Sequence, residues 1–314
     1  MERETVEAIR AGNPRAVARA LSAVERGGEE ARAVVAALFR FTGHAHVIGV
    51  TGSPGTGKST FVNEIAKCYR RRGQRVGIVA VDPTSPFTGG AILGDRLRMQ
   101  DLSGDAGVFI RSMATRGNLG GLASATADAV KVLDAAGFDV ILVETVGAGQ
   151  SEVDIAKNAH TTIVVEAPGL GDDIQAIKAG ILEIADVLIV NKADRDDASA
   201  TVAALEMNLN LKPKAPNDWR PPVLRTIALK GEGIEDAVEW IGKHRAYLET
   251  NHLLAAKERA RLRAELEHVL QRDLMARIIH GTPGADIERL VDRIAARELD
   301  VYQAANMVIA DKTA

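Results

Sequence analysis

The sequence predicts a doubly wound α/β domain on a mostly parallel sheet, with helical extensions at both ends. Three observations lead there. Short β-branched runs alternate with helix-length segments between about residue 44 and residue 230. Several runs are apolar on consecutive residues, such as Val140-Ile141-Leu142-Val143, as strands covered by helices on both faces require. From about residue 233 the strand signals stop and helical periodicity takes over. The 314 residues allow two domains or one large domain with additions. The expected division is 1–43 as an N-terminal helical extension, 44–240 as the α/β domain and 241–314 as a C-terminal helical segment.

Taken in order, Asn13-Pro14 is a helix start, with Asn at the cap and Pro at the first helical position. Val17, Leu21 and Val24 follow at helical spacing, as do Val34, Val35 and Leu38, and Gly27-Gly28 separates two helices. The expected strands are His46–Thr51, Arg75–Asp82, Val108–Arg111, Asp139–Glu144, Thr161–Glu166, Val187–Asn191 and Val223–Ile227. A helix is expected over Phe61–Arg71. Leu262, Leu266, Val269, Leu270, Leu274 and Ile278 recur every three or four residues on one long helix, which a Gly281-Thr-Pro-Gly284 break ends. Such an amphipathic helix needs a buried partner; packing on the sheet and a dimerisation arm both stay open.

Composition excludes several classes. Charged residues are 26% and hydrophobic ones 46%, a globular balance. Lys plus Arg number 39 and Asp plus Glu 42, a net −3 that gives no electrostatic reason to expect nucleic acid or an anionic membrane as partner. One cysteine, Cys68, cannot form an internal disulfide or a cysteine-cluster metal site and suits a reducing compartment. The N-terminal MERETVEAIRAG has no apolar stretch of signal-peptide length, and the apolar runs are far short of a membrane span. The expected location is the cytoplasm.

In α/β folds of this kind ligands sit at the carboxyl ends of the strands, so those segments carry the functional signal. Gly52-Ser53-Pro54-Gly55-Thr56-Gly57-Lys58-Ser59 fits G-x-x-x-x-G-K-[ST], after a strand and before a helix. Glycines let the backbone N–H groups turn inward around a β-phosphate. Lys58 supplies a point charge for the β- and γ-phosphates, and the Ser59 hydroxyl can coordinate Mg²⁺. Helix-forming residues after Lys58 set a helix N-terminus against the anion, and Thr60 is counted with the loop among the nucleotide-binding residues. This is a nucleotide-binding loop.

Asn191-Lys192-Ala193-Asp194 follows a late strand in the N-K-x-D arrangement of guanine-specificity loops. A carboxylate at Asp194 accepts both hydrogens that guanine offers at N1 and N2, whereas adenine offers neither there. Ala228-Leu229-Lys230 ends another strand and resembles a second base-contacting loop, acting through backbone N–H groups. Asp82 and Glu144 are carboxylates at strand ends, placed to hold Mg²⁺ directly or through water. Glu144-Thr-Val-Gly147 stands where many GTPases carry D-x-x-G.

Together these segments resemble the MeaB/ArgK family of P-loop GTPases, the MMAA-type G proteins of the SIMIBI class. The resemblance is carried by VDPTSPFTGGAILGDRLRM (81–99), VETVGAGQSEVDIA (143–156), PGLGDDIQAIKAGILEIADVLIVNKAD (168–194) and WRPPVLRTIALKGEGI (219–234). It implies a P-loop G domain that hydrolyses GTP to GDP. It also implies a chaperone of an adenosylcobalamin-dependent acyl-CoA mutase, usually methylmalonyl-CoA mutase, gating cofactor loading or off-loading and protecting the mutase from inactivation. By position, Ser59, Asp82, Asp95 and Glu144 would form the Mg²⁺ neighbourhood, and the loops at 82–96 and 144–152 the γ-phosphate switches. Pro168 to Lys178 resembles a third switch, in which Lys178 reaches the nucleotide when the mutase docks. Pro168-Gly-Leu-Gly-Asp172 departs there from the family's Gly-Gly-Gly-Asp. The C-terminal helices would form a homodimer.

Hydrolysis is expected by in-line attack of water, with Lys58, the loop amides and the metal stabilising charge on the phosphoryl oxygens. Gln150 resembles a water-positioning glutamine by type only. Arg96, Arg98 and Arg111 are read as surface salt-bridging residues rather than as an arginine finger. Two rival readings are a small-molecule P-loop kinase, which would not need guanine selectivity, and a metal-insertion GTPase of the same class. The latter would carry Cys/His clusters, whereas the histidines at 44, 46, 160, 244, 252, 268 and 280 are scattered. His44 and His46, alternating beside the first strand, are read as structural.

Overall fold

The computed structural model describes residues 1–82, 99–102, 104–114, 119–145, 159–169, 179–211, 218–280 and 287–310. Among these, β1 (His46–Thr51), β2 (Val76–Asp82), β3 (Val108–Ala114), β4 (Val140–Thr145), β5 (Thr161–Glu166), β6 (Val187–Val190) and β7 (Val223–Arg225) form a seven-stranded sheet. The spatial order is β3-β2-β4-β1-β5-β6-β7, and every pairing is parallel. β1 sits between β4 and β5, where the winding changes direction, so the loop leaving β1 opens at a topological switch point.

The helices are α1 (Arg3–Arg10), α2 (Pro14–Arg26), α3 (Gly28–Leu38), α4 (Lys58–Arg71), α5 (Leu119–Ala135), α6 (Ala179–Ile184), α7 (Ala198–Asn210), α8 (Ile234–Thr250), α9 (Leu253–His280), α10 (Ile287–Ala295) and α11 (Val301–Ala310). The Asn13 side chain accepts from the N–H groups of Arg15 and Ala16 at 3.1 Å each, which satisfies two orphan donors of α2. Gly27 and Gly28 both hold positive φ, 76° and 77°, and turn the chain between α2 and α3.

Strand alternation explains why these sequences are apolar throughout. Val47, Val79, Val81, Ile141 and Val143 face one core shared with α2, α3 and α5. Ile48, Val50, Ile78, Leu142, Ile163 and Ile189 face the opposite core, filled by Phe61, Val62 and Ile65 of α4 and by Ala237, Val238 and Ile241 of α8. Both faces are covered, so period-2 polarity has no place in the central strands. Each fully buried Ile or Leu contributes about 1.5–3 kcal/mol. Asp134, at the end of α5, anchors the approach to β1 by accepting from the N–H groups of Gly43, His44 and Ala45 at 2.6, 3.2 and 3.0 Å.

Some boundaries differ from those the sequence suggests. β3 runs on to Ala114, because β2 supplies hydrogen-bonding partners as far as Asp82. β7 stops at Arg225, because the Ile227 N–H turns from β6 to the Glu232 carbonyl at 3.1 Å. α4 starts at Lys58, where Gly57 at φ 93° sets the turn. The long helix starts at Leu253; the Gly281–Gly284 break lies outside the described residues. His46, read as structural, is buried.

The chain divides into two compact units, Met1–Lys257 and a second beginning at Glu258. The first holds α1–α3 together with the sheet. In the second, Leu266, Leu270, Leu274 and Met275 of α9 and Val301, Tyr302 and Met307 of α11 are exposed apolar side chains. No described helix is long and apolar enough to cross a membrane.

Candidate nucleotide-binding site

The site is built by the loops leaving β1, β6 and β7 and by the carboxyl end of β4. The β1 loop needs its glycines where β5 and the loop after β6 approach. An ideal Cβ on Gly52, which holds φ 137°, would fall inside the Val165 carbonyl, and one on Gly57 would lie 2.5 Å from Asn191 Nδ2. The Thr56 hydroxyl donates to the Ser53 carbonyl at 3.0 Å, and the Phe61 N–H donates to the Gly57 carbonyl at 3.0 Å, which opens α4 directly behind the loop. A positive helix end therefore faces the loop. Lys58 is buried and folds back over it, with Nζ donating to the Gly52 carbonyl at 2.7 Å and the Ser53 carbonyl at 2.9 Å. Gly55 and Pro54 form the exposed crest, and Thr60 lies in the first turn of α4.

Beside this loop, the Ser59 hydroxyl donates to Glu144 Oε1 at 2.6 Å, and both residues are buried. The β1–β4 register, with Val50 opposite Glu144, brings the two together. Thr145 and Thr51 hydroxyls bond across the same strands at 3.0 Å. Asp82 ends β2 just beyond the level of Thr145; its backbone alone is described. A hydroxyl and a carboxylate side by side form an all-oxygen donor set, and hard oxygen donors fit Mg²⁺. Among the described residues no group of three His, Cys, Asp or Glu could by itself hold a metal. Asp95, Gln150 and Lys178 lie outside the described residues, as do most of the three switch segments.

The third wall is the loop after β6. Asn191 is buried and makes three side-chain bonds. Its Nδ2 donates to the Thr56 carbonyl at 2.8 Å, and its Oδ1 accepts from the Thr226 hydroxyl at 3.2 Å and the Ala228 N–H at 3.0 Å. It therefore ties the phosphate loop to the loop after β7. Lys192 takes positive φ (58°) and extends Nζ to the Gly55 carbonyl at 2.6 Å. Asp194 is exposed. In the loop after β7, Ala228 is buried, while Leu229 is 88% exposed and Lys230 is also exposed.

Sequence reasoning passes over Glu166. It is a buried carboxylate that ends β5, and its carbonyl accepts from the Asn191 N–H at 2.8 Å. Its signal is the one that picks out Glu144, an acidic residue at a strand's carboxyl end. Of the arginines read as surface pairs, Arg111 bonds the Ser22 hydroxyl at 3.2 Å and pairs with Glu25 on α2; Arg96 and Arg98 lie outside the described residues. Cys68 is buried inside α4, where burial pushes its thiol up to about 11, so it is a core residue rather than a thiolate ligand.

The sequence profile of the methylmalonyl Co-A mutase-associated GTPase MeaB family matches residues 15–283. The chain belongs to the MeaB family. A Pyrococcus abyssi protein that carries the name GTPase is 47% identical over 308 residues, 98% of this chain and 95% of that one. GTPase ArgK of Escherichia coli is 34% identical over 81% of this chain and 87% of its own length. The mitochondrial methylmalonic aciduria type A homolog of Mus musculus is 33% identical over 83% of this chain and 64% of its own. A crystal structure described as LAO/AO transport system kinase shares the fold, with a TM-score of 0.76 and 24% identity, covering 99% of this chain and 97% of that one. This MeaB-family chain is accordingly a GTP hydrolase on a parallel α/β fold.

Proposed function

We propose that this MeaB-family GTPase is a Mg²⁺-dependent molecular switch that serves an adenosylcobalamin-dependent acyl-CoA mutase, methylmalonyl-CoA mutase being the leading candidate. In this role it gates cofactor loading or off-loading and protects the mutase from inactivation. The observation that carries the reading is the three-way bridge of Asn191 between Thr56, Thr226 and Ala228. It couples the phosphate loop to the base loop, so nucleotide state and base identity are sensed by one connected frame. The family's name, a methylmalonyl Co-A mutase-associated GTPase, supports the partner class.

In this reading the amides of residues 52–59 and Lys58 hold the phosphates, and Lys58 exchanges its carbonyl partners for phosphate oxygens when GTP enters. Asp194 takes the guanine N1 and N2 hydrogens, with Ala228, Leu229 and Lys230 closing over the base. Ser59 and Glu144, with Asp82 and Asp95, hold Mg²⁺, which neutralises charge on the β- and γ-phosphates. Gln150 positions the attacking water, and Lys178 reaches the nucleotide once the mutase docks. Residues 44–240 form the G domain, 1–43 a helical extension of it and 241–314 a homodimerisation arm, in a cytoplasmic protein that uses neither nucleic acid nor membrane.

The test is GTP turnover with and without a purified acyl-CoA mutase, alongside thermal shifts with GDP and ADP. GDP is expected to raise the melting temperature more than ADP, and the cognate mutase to accelerate turnover. Equal turnover in the two conditions removes the switch role, and equal shifts remove guanine selectivity.

A further inference from the structure

A cationic feature lies in the N-terminal helical segment, between α1 and the end of α3. Met1, Arg3, Val6, Glu7 and Arg10 of the first helical segment face Ala36, Ala37, Arg40 and Phe41 across an open cleft of about 640 Å³. Arg3, Val6, Glu7 and Arg10 are spaced three, four and seven residues apart, so they share one face of α1 over two turns. The cleft carries three guanidinium groups against one carboxylate in a chain whose net charge is −3. That carboxylate, Glu7, is already paired with Arg3 at 3.0 Å.

The other two guanidiniums are held differently. Arg10 stands 4.0 Å and Arg40 4.7 Å from the centre of the Phe41 ring. Among the described residues neither has a carboxylate within ion-pairing distance. Phe41 holds two like charges near one another by cation–π contact alone, which tethers the groups without neutralising them. Guanidinium forks so placed present their N–H donors to carboxylates.

We propose that this cleft docks a short acidic segment of a partner protein. Seven residues of α1 span about 10 Å, the length of roughly three residues of extended chain. Alternate side chains of an extended segment point the same way. The cleft therefore suits acidic residues at alternate positions, one toward Arg10 and Arg40 and another toward Arg3. The side chain between them points the other way, out of the cleft. This recognition does not involve the nucleotide loops and stands apart from the GTPase reading.

The experiment is fluorescence anisotropy with a fluorescein-labelled Glu-Leu-Glu-Leu-Glu peptide added to the full chain, with Lys-Leu-Lys-Leu-Lys as control. The acidic peptide is expected to bind, the basic one not, and added salt to weaken binding severalfold. Arg10→Gln with Arg40→Gln is expected to weaken binding at least tenfold while GTP turnover and melting temperature hold. Glu7→Gln, which removes the opposing carboxylate, is expected to tighten it. No binding of the acidic peptide, or equal binding by the double variant, overturns the proposal. Phenyl phosphate displacing the peptide at equal or lower concentration also overturns it, by reassigning the cleft to small phosphorylated ligands.

Discussion

The Ser59 hydroxyl donates to Glu144 Oε1 at 2.6 Å across 85 residues of sequence, joining the end of the phosphate loop to the end of β4. In P-loop NTPases a Ser or Thr in this place and a strand-end carboxylate share the metal. In the proposed role the bond would orient both oxygens before a metal arrives, which would lower the ordering cost of binding.

Glu144→Gln tests that pair. The amide keeps an oxygen for Ser59 but loses the charge that would hold Mg²⁺ in the proposed role. GTP turnover is expected to fall roughly 100-fold, with GDP affinity changed only severalfold in magnesium-free buffer. Unchanged turnover at saturating magnesium would show that Glu144 is not part of the metal site.

Asn191→Ala removes three hydrogen bonds from a buried position and leaves the Ala228 N–H and Thr56 carbonyl without that partner. Leaving such groups unpaired costs about 1–3 kcal/mol each at most, so a total loss of about 2–4 kcal/mol is expected in denaturant unfolding. GDP affinity is expected to fall with it, because both loops lose their common strut. A stability loss below about 1 kcal/mol would mean that the bridge is dispensable.

Asp194→Asn exchanges a two-oxygen acceptor for a carbonyl and an amino group. The variant is expected to weaken GTP and to improve xanthosine triphosphate, whose 2-oxo group accepts where guanine donates. Competition between the two nucleotides measures the change. A GTP preference equal to that of the parent protein would exclude Asp194 from base recognition.

Acid is expected to destabilise the first unit through a buried histidine chain. His46 Nε2 meets the Thr161 hydroxyl at 3.0 Å, and that hydroxyl meets His244 Nδ1 at 2.9 Å. His244 Nε2 lies 3.3 Å from Asp186 Oδ1. Burial, aided by His160, Arg245, His244 and Lys257, holds His46 well below the usual imidazole range. Burial also lowers His244, with Lys257 acting in the same direction and Asp186 opposing them. An imidazole lowered by folding binds its proton more readily in the unfolded chain. Stability is therefore full above about pH 6.5 and declines as pH falls from there toward the folded values. Urea unfolding at successive pH values measures the slope, and His46→Asn is expected to flatten it. An equal slope in that variant assigns the acid sensitivity elsewhere.

Ending the chain at Lys257 removes the second unit and keeps the Lys257 Nζ bond to the His160 carbonyl at 2.8 Å. The shortened protein is expected to be monomeric by light scattering while the full chain is dimeric. A dimer of unaltered mass would place the interface in the first unit.

Much of the fold is legible in the linear order of residues. Continuous apolar runs such as Val187–Val190 mark strands covered on both faces, and Asn13-Pro14 marks the start of α2, because periodicity and capping act within one or two turns of chain. The phosphate loop is legible for the same reason. Its glycines, Lys58 and Ser59 are neighbours in sequence, and their joint chemistry needs only a strand before them and a helix after.

What tertiary structure decided are the relationships between residues far apart in the chain. Asn191 belongs to a recognisable base motif, yet its work as a strut to Thr56, 135 residues away, depends on β1, β5 and β6 lying side by side. Glu166 gains its place beside Asn191 from the same pairing. Histidines scattered along the chain become one chain of hydrogen bonds because β1 and β5 start at a common edge beneath α8. Local pattern sets which segments are strands and which turns grip an anion, since those free energies are settled within a few residues. The sheet order sets which side chains meet, since that depends on which strands pair and in what register.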